Sequence, residues 1–197
     1  MTNISQKMLD GVNTLIPFTS GYAQKLHASG LAKQLDLPQK TVARKLDYLK
    51  EKKLLEFVRV GKNKYFFLDW DKVSSFSLIQ MVENYKELKF LAEHPKLSVL
   101  INELAWKNSL ILFGSYAKNR AKEDSDVDLL ILRKKNKEAE SIIKRYPFET
   151  NPHFFTFAHF KKILEKNEPL AKEIVRHHVL FGEKEKIIKA LISYSRK

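Results

Sequence analysis

Cysteine is absent from the 197 residues. Disulfides and thiolate metal sites are thereby excluded, and the chain suits a reducing cytoplasm, which is its expected location. Long apolar runs are missing too. None approaches the roughly 20 residues that a membrane-spanning helix needs, so no membrane partner is expected. The stretch MTNISQKMLDGVNT has no basic head followed by an apolar core, and no signal peptide is expected. Internal repeats and low-complexity tracts are lacking. Acidic residues are outnumbered: 23 Asp and Glu stand against 36 Lys and Arg, a formal net charge of +13. That balance favours polyanionic partners such as nucleic acid. The excess is spread evenly, with 13 basic and 7 acidic side chains in residues 1–75 and 23 and 16 in the remainder. Placement, not the total, must therefore identify a binding surface. What is present is 44% hydrophobic and 30% charged residues, a globular composition long enough for one large domain or two small ones.

The patterns change character along the chain. Residues 1–72 read as helices followed by a hairpin, and residues 76–197 as helices alternating with strands. The Asp- and Ser-rich turn in DWDKVSSFS is the expected boundary. In the first segment, SGLAKQL (29–35) predicts a short helix capped by Ser29, with Leu31, Ala32 and Leu35 on one face. The turn DLPQ follows, and Pro38 suits the opening of a second helix that runs to about Lys52. Its Val42, Leu46 and Leu49 form a stripe to be buried. The opposite face carries Gln39, Lys40, Thr41, Arg44 and Lys45. LLEFVRV and KYFFLDW are β-prone runs joined by Gly61-Lys62-Asn63, a hairpin pattern.

Helix, short turn, amphipathic helix and hairpin together resemble the winged helix-turn-helix family. In that family the second helix enters the major groove of double-stranded DNA and the hairpin touches the phosphate backbone. The resemblance gives the helix role to Gln39, Lys40, Thr41, Arg44 and Lys45, and the wing tip to Lys62, Asn63 and Lys64. Their polar ends suit base edges and phosphates, and the cations supply counterion release. The competing expectation is a fold of this kind used only for protein contact or dimerisation.

In the second segment the patterns predict helices at about 77–92 and 95–106, then the strand SLILF and the strand VDLLIL. A helical or irregular stretch follows, then a strand HFFTF and helices at about 159–166, 169–178 and 183–193. The stretch with most chemical content is LILFGSYAKNRAKEDSDVDLLIL (110–132). Alternation along a strand sends Asp126 and Asp128 to one side, with Cα atoms about 6.5 Å apart. Two carboxylates there repel unless they share a cation, and oxygen ligands favour a hard ion, Mg²⁺ or Mn²⁺. Mg²⁺ fills its other positions with water and phosphate oxygens, so a phosphate-bearing substrate is implied. Gly114 and Ser115 open a turn where a phosphate can approach the backbone. Lys118, Arg120 and Lys122 follow in the loop, either to reach other phosphates or simply to be solvated. An EF-hand reading of Asp124, Asp126 and Asp128 fails, because its glycine position holds Leu129 and its final glutamate position holds Lys135.

Gly-Ser, ten residues and Asp-x-Asp between two apolar strands resemble the signature of the DNA polymerase β-like nucleotidyltransferase superfamily, closest to its minimal branch. The likeness runs from about Leu97 to Phe181 and includes the tail EIVRHHVLFG. It implies a mixed sheet flanked by helices, so the whole chain is expected to be α+β or α/β, a winged helix followed by a nucleotidyltransferase-type domain. It further implies two Mg²⁺ ions on Asp126 and Asp128, with the β- and γ-phosphates on Gly114 and Ser115. The reaction would move a nucleoside monophosphate from an NTP, ATP foremost, to an acceptor hydroxyl. The family's third carboxylate is missing from the next strand. His153 occupies the apparent position, and Glu149 lies just before it. Either one substitutes, or the domain binds nucleotide without turning it over.

Two functions follow. One is an enzyme coupled to DNA binding, antitoxin-like by analogy and paired with a small helical toxin-like protein. The other is a transcriptional regulator whose nucleotidyltransferase-like domain only binds nucleotide or a partner. A third reading, RNA as acceptor, is weakened because the extra helical domain of RNA-extending relatives is lacking. A winged helix often forms a homodimer on a palindrome. His177 and His178, Phe154, Phe155, Phe157 and Phe160, and Trp106 are expected to serve packing or capping.

Overall fold

The structure is a computed structural model and describes residues 11–135 and 137–197. The chain divides into two compact units, one through Tyr85 and one from Lys86.

The first unit opens with helical residues 11–15 and a 3₁₀ turn at Ile16–Thr19. Then come β1 (Leu26–His27), α1 (Ala28–Leu35), α2 (Gln39–Glu51), β2 (Glu56–Val60) and β3 (Asn63–Phe67). The three strands are antiparallel, in the order β1-β3-β2. The stripe on α2 is buried: Val42 and Leu46 are fully enclosed and Leu49 nearly so, and Leu31, Phe18 and Phe66 are buried in the same unit. The cap of α1 differs from expectation. His27 is the N-cap and its Nδ1 accepts from the Ser29 backbone N–H, while the Ser29 hydroxyl lies 2.7 Å from that same nitrogen. The hairpin turn is also shorter than the run Gly61-Lys62-Asn63 suggests. Val60 pairs with Asn63, so only Gly61 and Lys62 turn, and the positive φ of Gly61 (59°) suits such a tight connection.

A long helix, α3 (Val73–Glu93), carries the division between the units. The division falls inside this helix, past the Asp-Ser turn where composition changes. Its early residues belong to the first unit, where the Tyr22 hydroxyl donates to the buried Glu83 carboxylate at 2.8 Å. Burial and that carboxylate hold the Tyr22 phenol well above its ordinary range. Its last turn supplies Phe90 to the core of the second unit.

The second unit continues with α4 (Pro95–Ala105), β4 (Leu110–Leu112), α5 (Gly114–Ala117), β5 (Val127–Ile131) and α6 (Lys137–Lys144). It closes with β6 (Thr150–Phe154), α7 (Phe157–Glu165), α8 (Pro169–Arg176), β7 (Val179–Phe181) and α9 (Glu185–Ser195). The sheet is mixed. In the order β6-β5-β4-β7, β5 and β6 run parallel and the other neighbours antiparallel. Both the overall α+β class and the mixed sheet match expectation. Leu110, Leu112, Val127, Leu129, Ile131, Val179 and Phe181 share one sheet face with Leu97, Leu100, Leu104, Ala139 and Ile143 in one apolar cluster. The alternating residues Ile111, Asp128, Leu130 and Leu180 take the other face.

Three expectations change here. The strand read as HFFTF is Thr150–Phe154, because residue 156 is already the cap of α7, its hydroxyl accepting from the His159 N–H. Of the four phenylalanines, Phe160 is core and the others are half-buried. Trp106 does not pack: it is 86% exposed. It follows the last turn of α4, whose buried face is completed by Leu104.

Candidate active site

The central strand β4 ends in a fully buried run, and Phe113 extends its pairing by donating its backbone N–H to the Asp128 carbonyl at 3.1 Å. The chain then swings through Gly114, whose φ is +68°, a region that favours glycine. Space makes the same demand. A Cβ at residue 114 would lie 1.9 Å from Oδ2 of Asp128. The missing side chain of the Gly-Ser pair is thus replaced by the Asp128 carboxylate, and the two halves of the signature are in contact.

The loop from Lys118 to Ser125 folds back on this turn. Lys118 N–H donates to the Gly114 and Ser115 carbonyls, and Arg120 N–H to Ser115 at 3.0 Å. Lys122 N–H donates to the Ser125 hydroxyl at 2.8 Å. Asp126 lies one residue ahead of β5 and is exposed, and Asp128 is half-buried. The two carboxylates remain on alternate residues, so they share a side.

The neighbouring strand β6 fixes what else stands on that face. Its parallel register sets Asn151 beside Asp128 and His153 beside Leu130. One step earlier, Glu149 accepts the Val127 N–H on its carbonyl at 2.8 Å, at the level of Asp126. Residues 149, 151 and 153 therefore share the face of Asp128. The side chain that touches Asp128 is Asn151, whose Nδ2 donates to Oδ1 at 3.2 Å. His153 stands beside the rings of Phe113 and Phe155, with centroids 5.7 and 6.2 Å away. Sequence reasoning missed Asn151. No spacing motif singles it out, and only the strand register shows which residue meets Asp128.

Among the described residues, no three His, Asp or Glu gather as a metal cage. The donor set is two carboxylates beside a turn without a side chain, which fits a cation that takes one or two protein carboxylates and completes itself with phosphate and water.

On the other flank of β4, α8 closes over the loop. Lys118 Nζ donates to Glu173 at 2.5 Å. Of the two histidines after α8, His178 is buried with Nδ1 2.6 Å from the Ile174 carbonyl, a packing role. His177 lies on the surface. Partial desolvation, then the charges of Lys118, Arg120, His178 and Arg176, hold its imidazole below the usual histidine range.

In the first unit the expected DNA-facing residues lie on the outer side of α2. Gln39, Lys40, Thr41 and Arg44 are exposed and Lys45 is half-buried. Lys62 and Asn63 are exposed at the hairpin. Lys64 is not a loose tip residue: its Nζ donates to Asp47 of α2 at 2.8 Å and lies over the Phe57 ring.

The nucleotidyltransferase domain family matches residues 97–197, just over half of the chain. The chain belongs to the nucleotidyltransferase domain family. No curated protein and no solved structure matches it. The matched span of this nucleotidyltransferase takes in most of α4, the Gly114-Ser115 turn, both aspartates, Asn151 and α8. It runs past Phe181, where the sequence likeness ends, through α9. The family sets the class of chemistry, transfer of a nucleoside monophosphate.

Proposed function

We propose that this nucleotidyltransferase uses Mg²⁺ or Mn²⁺ to move a nucleoside monophosphate, AMP from ATP in the first instance, onto an acceptor hydroxyl. The observation that carries the reading is the Asp128 carboxylate seated in the space of the absent Gly114 side chain. Asp126 and Asp128 would hold the metal, which when bound activates the acceptor oxygen and neutralises the phosphates. The chain's own part is positional. Gly114 lets the triphosphate approach the backbone, and the Ser115 hydroxyl offers it a hydrogen bond. Asn151 fixes one oxygen of Asp128 and so directs the other. Glu149 or His153, both on the face of Asp128, takes the acceptor proton.

The N-terminal unit is proposed to be a winged helix that binds double-stranded DNA through the outer face of α2 and the hairpin, as a homodimer on a palindromic site. A small helical toxin-like protein remains the proposed partner and a first acceptor to try. A second reading, a regulator that binds nucleotide without turnover, is favoured by one observation: the side chain of β6 that meets Asp128 is an amide, Asn151, and not a carboxylate.

Incubating the purified chain with α-³²P-labelled NTPs and Mg²⁺ or Mn²⁺ separates the two. Label transferred to an acceptor, and lost in D126A/D128A, supports the transferase. Nucleotide binding without transfer supports the regulator. Neither label nor binding sinks both.

A further inference from the structure

The sheet order puts β4 between β5 and β7, so the Gly114 turn has two flanks of opposite charge. On the β5 side stand Asp126 and Asp128. On the β7 side the register pairs Leu112, the last residue of β4, with Val179, the first of β7, so Gly114, two residues past β4, and His177, two residues ahead of β7, leave the sheet at the same end. The preceding residue is Arg176, the last of α8. The ion pair from Lys118 to Glu173 at 2.5 Å, one helical turn below His177, ties the loop after Gly114 to this helix end. After partial desolvation, the charges of Lys118 and Arg120 are what hold the His177 imidazole down, in keeping with a loop and a helix end that are neighbours. Lys118 is already answered by Glu173. Among the described residues neither Arg120 nor Arg176 has a carboxylate partner. Both are exposed, as is His177, whereas its neighbour His178 is committed to the Ile174 carbonyl.

A cluster of cations beside a metal-type carboxylate pair is what a triphosphate demands. One end of its charge is met by a cation held on carboxylates, and the other must be met by protein donors. We propose that Arg176 and His177 form the outer wall of the triphosphate site, receiving the β- and γ-phosphates across Gly114 from Asp126 and Asp128. The assignment rests on the nucleotidyl-transfer reading and extends it to residues outside the signature. Arg176 supplies a planar donor pair suited to phosphate oxygens. His177 supplies a titratable one. The groups facing it are Lys118 and Arg120 from the loop side and Arg176, His178 and Glu173 from its own segment. The cations favour a neutral ring in the free protein. Arriving phosphates reverse the local charge, so His177 takes one proton from solvent as they bind.

The test is calorimetric titration of the full chain with ATP, inorganic tripolyphosphate and AMP between pH 6 and 8.5, in buffers of different ionisation enthalpy. R176Q, H177Q and D126N/D128N are titrated in parallel. In the wild type, ATP and tripolyphosphate should bind with proton uptake that AMP lacks. R176Q should weaken both by about tenfold. H177Q should abolish the extra uptake and weaken binding roughly threefold at pH 6.5, with little effect at pH 8.5. Comparing wild type with H177Q cancels the titration of the terminal phosphate itself. Wild-type affinity and wild-type proton uptake in both variants overturn the assignment, as does a wild type that binds no tripolyphosphate. Label transfer by the wild type that R176Q and H177Q retain with unchanged ATP affinity sinks this wall and leaves nucleotidyl transfer standing. Loss of tripolyphosphate binding in both variants, with no transfer by the wild type, does the reverse.

Discussion

Gly61 and Gly114 have nearly the same backbone, with φ of 59° and 68°, and opposite surroundings. A Cβ added at Gly61 would meet nothing within 4 Å, whereas one at Gly114 would meet the Asp128 carboxylate at 1.9 Å. At the hairpin, glycine answers only the needs of a tight turn. At the signature turn it also clears room for another residue's functional group. The charges around them follow the same division. Lys62 beside Gly61 is exposed to solvent, where counterions answer its charge. Asp128 beside Gly114 is half-buried and held by Asn151. A solvated charge of the first kind suits a surface that meets a polyanion. A held charge of the second kind suits a site that must keep its geometry through a reaction.

The contrast can be broken most directly at the carboxylates. D126A/D128A should lower metal-dependent label transfer by about 10³-fold or more, while circular dichroism and the melting curve stay close to wild type. A folded double variant that retains transfer would remove the carboxylates from the chemistry. Next come the two glycines. G114A should cut transfer by about 10²-fold through displacement of Asp128, and cost roughly 2–3 kcal/mol in urea unfolding from backbone strain and collision. G61A should cost about 1 kcal/mol and leave transfer unchanged. Equal stability losses and equal activity in the two would erase the difference drawn here.

Smaller effects are expected on the polyanion side. K40A, R44A and K62A should each lower the slope of log affinity for DNA against log salt by about one. K64A should lower it less, because Lys64 already pairs with Asp47. The smallest effect is at Asn151. N151A removes one hydrogen bond to a half-exposed carboxylate and should cost about 1 kcal/mol or less. N151D, which adds a third carboxylate at the level of Asp128, sharpens the question of turnover. A rise in transfer, measured against Mg²⁺ concentration, would show that the amide limits the wild-type rate.

Much of this was legible in the sequence because it rests on spacing. The buried stripe Val42, Leu46 and Leu49 follows from a helical repeat, and the face shared by Asp126 and Asp128 from a repeat of two. What escaped depends on contacts between segments. The strand register that matches Asn151 to Asp128 is set by where β6 enters the sheet, and no local pattern encodes it. The Ser29 cap was displaced by a neighbouring imidazole, which a preference ranking for single positions does not anticipate. Trp106 follows two residues after Leu104, the last buried position of α4, and its ring stays outside the apolar cluster, which the size and apolar character of the residue alone do not reveal.

The two tryptophans of the chain fall in different units and in opposite environments. Trp70 donates its indole N–H to the Tyr22 carbonyl at 3.1 Å and meets the Tyr22 ring edge-on. Trp106 is already almost as wet as it would be in an unfolded chain. Emission from Trp106 therefore changes little on denaturation, and an unfolding curve followed by tryptophan fluorescence is a record of the N-terminal unit. The nucleotidyltransferase unit can melt without dimming or shifting that signal, and its stability has to be followed by another optical probe.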